Sequence, residues 1–181
     1  VMGEGAQQRI AIRTPRAQLA ETAPADDPRL AAALLGWPLG TLPPARMQGG
    51  RSWWVVQVAD EAQLRALQPD WDAIATLAES TDSMGVFAYA FSDGNEGYDL
   101  AVRAFVGNGR RFEDAASGAA NAVLAAWLDL RGVLPRGREP YEVSQGREVG
   151  HDARLTLRVD ADGEVWSGGQ VQTVIAGTLD W

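Results

Sequence analysis

The stretch from Arg110 to Leu130, RRFEDAASGAANAVLAAWLDL, decides the fold. It opens on two cations, Arg110 and Arg111, and two carboxylates, Glu113 and Asp114, and then crosses the small residues Ala115-Ala116-Ser117-Gly118-Ala119-Ala120. From Ala122 to Leu130 only Asp129 is charged. A surface helix carries an apolar stripe, whereas a helix that is apolar nearly all round is buried. Small side chains at its start leave the first N–H groups open, and those groups together with the helix dipole make an anion site. The segment therefore predicts a central helix whose N-terminus, flanked by Asp114, faces a ligand. Two roles stand open for Asp114: a cap on the N–H of Ala116 or Ser117, or a working group on a substrate polar atom. Likewise, Ser117-Gly118-Ala119-Ala120-Asn121 reads either as tight helix-on-sheet packing or as a carboxylate-binding row of amides.

With 181 residues, the chain suffices for one domain with a real core, or for one and a fraction. Its net charge of −8 argues against nucleic acid or an anionic membrane as the main partner. The absence of cysteine removes disulfides, thiolate metal sites and a cysteine proton carrier. A single histidine, His151, sits between Gly150 and Asp152 in an apparent turn and reads as uninvolved; no metal site is expected. Neither a nucleotide-phosphate loop nor a Gly-x-Ser-x-Gly elbow occurs. No apolar run approaches the roughly 18–20 residues of a membrane span, and no secretory leader opens the chain, so a cytoplasmic protein is expected.

Along the chain, 8–13 alternates as a strand and 14–25 reads as a linker. Asp26-Asp27-Pro28 starts a helix running to Leu35, and 36–50 reads as a loop. Ser52 to Ala59 is strand-like, its adjacent tryptophans placing one of Trp53 and Trp54 in the core and the other at a groove or interface. Asp60 and Pro69-Asp70 each open a helix. Val86 to Phe91 and Tyr98 to Val106 form a strand pair, and Tyr141 to Gln145, Arg154 to Val159, Glu164 to Trp166 and 170–179 are further strands. Asp160-Ala161-Asp162-Gly163 fits a hairpin turn. Gly168-Gly169 reads as a tight turn or bulge, or else as a place where a ligand approaches the backbone. The fold class is α+β: a curved, mostly antiparallel sheet wrapped around one buried central helix.

Several ordered motifs resemble the PhzF family of phenazine-biosynthesis-like isomerases. Val102-Arg103-Ala104-Phe105, Glu113-Asp114 and Ser117-Gly118-Ala119-Ala120-Asn121-Ala122 are similar to its VRAF…EDPATGSANA. Tyr141-Glu142-Val143-Ser144-Gln145-Gly146 resembles its Y-x-I-S-Q-G. Val165-Trp166-Ser167-Gly168-Gly169 with Val174-Ile175-Ala176-Gly177-Thr178-Leu179 resembles VWVGG…VIEGTL. The resemblance implies the diaminopimelate epimerase-like fold, in which two similar lobes each wrap a curved sheet around a helix and the site lies between them. It also implies cofactor-free proton transfer, with a first-lobe glutamate as acid/base. On this reading 1–25 is a remnant of a first-lobe strand and its linker, and 26–181 is the second lobe. The resemblance matches Asp114 to the family aspartate and therefore to a catalytic role. Ser117, Gly118, Ala119, Ala120, Asn121, Gly168 and Gly169 then bind substrate. Ala119 stands where the family has serine, Ala115 where it has proline and Ser117 where it has threonine.

Two functions follow. One is an isomerase or epimerase lobe holding a small carboxylate-bearing metabolite, with the base supplied by an N-terminal lobe. The other is a non-catalytic binding or oligomerisation module that keeps the fold but not the chemistry. A half-cleft exposes an apolar face, so a homodimer is expected under either.

Overall fold

The computed structural model describes residues 9–24, 26–134, 139–171 and 173–178. Ten strands form one sheet: β1 (Arg9–Thr14), β2 (Gln18–Thr22), β3 (Ala45–Gly49), β4 (Arg51–Gln57), β5 (Gly85–Phe91), β6 (Leu100–Val106), β7 (Phe112–Asp114), β8 (Tyr141–Gln145), β9 (Ala153–Val159) and β10 (Val165–Gln170). The strand order is β1-β10-β9-β8-β6-β5-β4-β3-β2, with β7 paired to β6 off this path. Only the β4–β5 and β6–β8 ladders are parallel. Strands β1 and β2 end the order at opposite edges, yet only Pro15, Arg16 and Ala17 separate them in sequence. A sheet whose two edges are tethered by three residues has to curl back on itself, and the ladder stays open at that seam.

Helix α4 (Gly118–Leu130) fills the inside of the curl. Every residue from Ala120 to Asp129 is buried, and the core cluster around it takes Met47, Trp53, Val55, Phe87, Tyr89, Leu100, Val102, Val143, Leu157 and Val165 from successive strands. Burying a large apolar side chain stabilises by about 1.5–3 kcal/mol. Helices α1 (Pro28–Ala31), α2 (Glu61–Ala66) and α3 (Trp71–Ser80) instead cover the outer face of β4–β6 over Trp54, Val56, Val86, Ala88 and Phe105. The middle strands are therefore apolar on both faces, as sheets covered on two sides are. Each outer helix starts on an aspartate: Asp27 accepts from the N–H of Arg29, Asp60 from that of Gln63, and Asp70 from those of Asp72 and Ala73.

The differences from the sequence reading have physical causes. Strand β2 lies in the stretch read as a linker; it is an edge strand with largely exposed side chains, so it needs no apolar alternation. Strand β3 lies in the stretch read as a loop, its inward Ala45 and Met47 being too few to stand out after the five prolines and glycines of 36–44. Trp53 and Trp54 are both buried, one in each of the two layers, so neither lines a groove. The short β7 precedes the helix and was not anticipated. Glu164 to Trp166 and 170–179 are not two strands: β10 ends at Gln170, and 173–178 are irregular and exposed. Residues 8, 25, 135–138, 172 and 179 of the expected strands, linker and loop lie outside the described residues. No helix among the described residues is long and apolar enough to cross a membrane.

Candidate functional site

A hollow of about 520 Å³ opens at the seam, against the first turn of α4. One wall is the inner face of β1 and β10, with Ile10, Ile12, Ser167 and Gly168; the floor is Gly118, Ala119 and Ala122. Leu155, Gly49, Pro15 and Val171, with Thr14 as a polar neighbour, complete a largely apolar surround. The charged residue among those lining it is Arg13, which is largely exposed and 4.0 Å from Glu164, a loose pairing. Among the described residues, no carboxylate or imidazole lines the hollow.

The start of α4 is held from the other side. Ser117 is the N-cap, and its Oγ accepts from the N–H of Ala120 at 3.4 Å. The fully buried Gln145 accepts from the N–H of Ser117 at 3.2 Å and from Asn121 Nδ2 at 2.8 Å, and its own Nε2 donates to the Asp114 carbonyl at 2.7 Å. Asn121 Nδ2 also donates to the Ser117 carbonyl. Asp114 Oδ1 accepts from the N–H of Ala116 at 3.2 Å. Gly118 and Ala119 are thus the two leading amides with no acceptor among the described residues, and both line the hollow. Unpaired N–H groups at a helix start favour an anion.

The strand that carries Asp114 is anchored by its neighbour. Arg103 grips Glu113 through two parallel bonds, Nε to Oε1 at 2.9 Å and Nη2 to Oε2 at 2.7 Å, with both side chains about 5% exposed. The remaining nitrogen, Nη1, donates to the carbonyls of Leu64, Arg65 and Leu67 at the end of α2, and the guanidinium lies 4.8 Å from the Phe105 ring centre. Next to it, Arg65 bonds Glu61, Glu148, Tyr98 and Ser144. Burial and the bond to Glu61 raise the Tyr98 phenol. Burial alone would raise the Glu61 carboxyl, but bonds from Tyr98 and Arg65 hold it below its usual range.

The expected site residues therefore separate into groups. Gly118, Ala119 and Gly168 line the hollow. Ser117 and Asp114 cap the helix start and do not line it; for Asp114 the geometry is that of the cap. Ala120 and Asn121 are fully buried, turned away from the hollow into the core and the Gln145 network. Gly169 lines a different, polar hollow with Arg9, Glu142 and Arg154. Gly168-Gly169 is neither turn nor bulge: it lies within β10, and a Cβ on Gly168 would come 2.5 Å from the Ile10 carbonyl, so glycine there lets β1 approach. His151 is exposed, and no cluster of three or more acidic or histidine residues among those described could hold a metal. Sequence reasoning missed Ile10, Ile12, Arg13 and Ser167. For Ser167 a signal existed: it is a polar residue at an inward position of β10, two places from the buried Val165.

Known proteins share this architecture. A predicted epimerase from Pseudomonas aeruginosa superposes with a TM-score of 0.70 at 28% identity, covering 96% of this chain and 59% of that one. A PhzF-family protein from Bacillus anthracis, at 17% identity and a TM-score of 0.68, shares the fold over 91% of this chain and 58% of its own. The uncharacterized isomerase YddE of Escherichia coli K12 is 28% identical over 119 residues, which are 61% of this chain and 37% of YddE. The chain thus spans well under two thirds of the length of these relatives. The family model for the phenazine biosynthesis-like proteins (PhzC-PhzF) matches residues 2–178, and the chain belongs to that family.

Proposed function

We propose that this chain is one lobe of a cofactor-independent isomerase or epimerase and contributes half of a proton-transfer site for a small carboxylate-bearing substrate. The observation that carries this reading is the hollow itself: among the described residues it has two acceptor-free amides of α4 at its floor, a cation at its rim and no carboxylate or imidazole in its lining. The amides suit the substrate carboxylate. A carbon acid needs a base within roughly 3 Å of the proton it gives up. None among the described residues lines the hollow, and on this reading an N-terminal lobe supplies the base. In deuterated buffer, small α-substituted carboxylic acids incubated with this chain alone are expected to keep their α-protons at the rate of a protein-free blank. Catalysed loss of the α-proton signal in proton NMR would refute the half-site.

The second reading, a non-catalytic binding and oligomerisation module, is favoured by apolar residues left in solvent on β1 at the seam and in the stretch after β10. Ile12 is 63% exposed, Val174 85% and Ile175 88%. Such surface marks an interface. A homodimer is the expected species in size-exclusion chromatography with light scattering, and a monomer at tens of micromolar would remove this reading.

A further inference from the structure

Ser167 lines the hollow opposite Gly118 and is 4% exposed, yet its hydroxyl has no hydrogen-bond partner among the described residues. The small part of Ser167 left accessible faces the hollow, so a hydroxyl that bonds no described side chain or carbonyl is available there to whatever enters. The geometry fixes where. A Cβ built on Gly118 would stand 3.5 Å from Ser167 Oγ, which puts the hydroxyl beside the first open amide of α4. Three donors therefore line the same side of a largely apolar space, in which Arg13 and Thr14 are the other polar residues: the N–H of Gly118, the N–H of Ala119 and the Oγ–H of Ser167. Ala119 itself offers only its backbone.

We propose that Ser167 is the specificity-determining third donor of a carboxylate subsite and that it selects small monocarboxylic acids with an apolar body. This deepens, and rests on, the reading of the hollow as a carboxylate site. The carboxylate takes the three-donor side, one oxygen on the helix amides and the other on the Ser167 hydroxyl. Ile10, Ile12, Ala122, Leu155 and Val171 receive the apolar remainder, and Arg13 adds a favourable charge at the rim. A dicarboxylate would press its second charge against those apolar walls.

Benzoate is the probe, followed by the amide resonances of Gly118 and Ala119 in a ¹H–¹⁵N correlation spectrum of the whole chain. Both resonances are expected to move saturably with benzoate and not with succinate. Ser167→Thr and Ser167→Val share a shape and differ by the hydroxyl alone, and the threonine variant is expected to bind benzoate about 5–10-fold more tightly. Ser167→Ala is expected to weaken binding to a similar degree while leaving the thermal midpoint unchanged, since the hydroxyl makes no bond in the free protein. If the two amides respond but threonine and valine variants bind alike, Ser167 has no role and the helix-amide site stands. If neither amide responds in the unaltered chain, the carboxylate reading of the hollow fails and takes this inference with it.

Discussion

Replacing Arg103 by methionine is expected to cost about 3–5 kcal/mol of unfolding free energy, read from urea denaturation followed by tryptophan fluorescence. The side chain would lose both bonds to Glu113, whose carboxylate is itself about 5% exposed and would be left buried and uncompensated. It would also abandon the carbonyls of Leu64, Arg65 and Leu67. Removing one member of a buried pair is far costlier than removing both. The double variant Arg103→Met with Glu113→Leu is accordingly expected to recover a good part of the loss. Lysine at 103 is expected to recover little, because a single ammonium cannot span a bidentate carboxylate and three carbonyls at once. A loss below about 1 kcal/mol for Arg103→Met would mean that the clamp does not hold β7.

The other large effect is expected at Gln145. Its leucine variant keeps the volume but removes three bonds together: those from the half-buried N–H of Ser117 and the buried amide of Asn121, and that to the half-buried carbonyl of Asp114. At about 1–3 kcal/mol for each unsatisfied group, a total near 3–4 kcal/mol is expected once partial relaxation is allowed. The damage is local, so a second readout follows. Hydrogen exchange at the Ser117 to Asn121 amides is expected to accelerate more than at Leu124 and Leu128, which the core protects. Uniform acceleration along α4 would show that Gln145 contributes to global stability alone and does not pin the helix start.

The central helix was legible because its signal is one of absence: nine residues with a single charge cannot sit on a surface. The caps at Asp27, Asp60 and Asp70 were legible because a side-chain acceptor before a helix acts within three residues. What escaped reading depends on partners remote in sequence. β2 is a strand only because β3 lies beside it, with Leu19 opposite Met47, and nothing in its own composition announces that. The floor of the hollow could be read from Gly118 and Ala119, whereas its wall could not. Ile10 and Ile12 reach it through a ladder between β1 and β10 that joins residues more than 150 positions apart. For Gly168 local sequence offers a turn, a bulge or a ligand's approach to the backbone; the close approach of β1 is a tertiary fact. Asn121 sat in a motif that suggested ligand contact, but one turn of helix carries it round to the Gln145 side.

The three-residue tether between the sheet's outermost strands has a mechanical consequence. Arg16, in the middle of that tether, donates to Asp129 at 2.7 Å and to the Gly163 carbonyl at 2.5 Å, which rivets the gap at the far end of α4. The unriveted end, beside Gly118, lies about 16 Å away along the helix axis. The seam is thus pinned at one end and lacks that pin at the other, where the hollow lies.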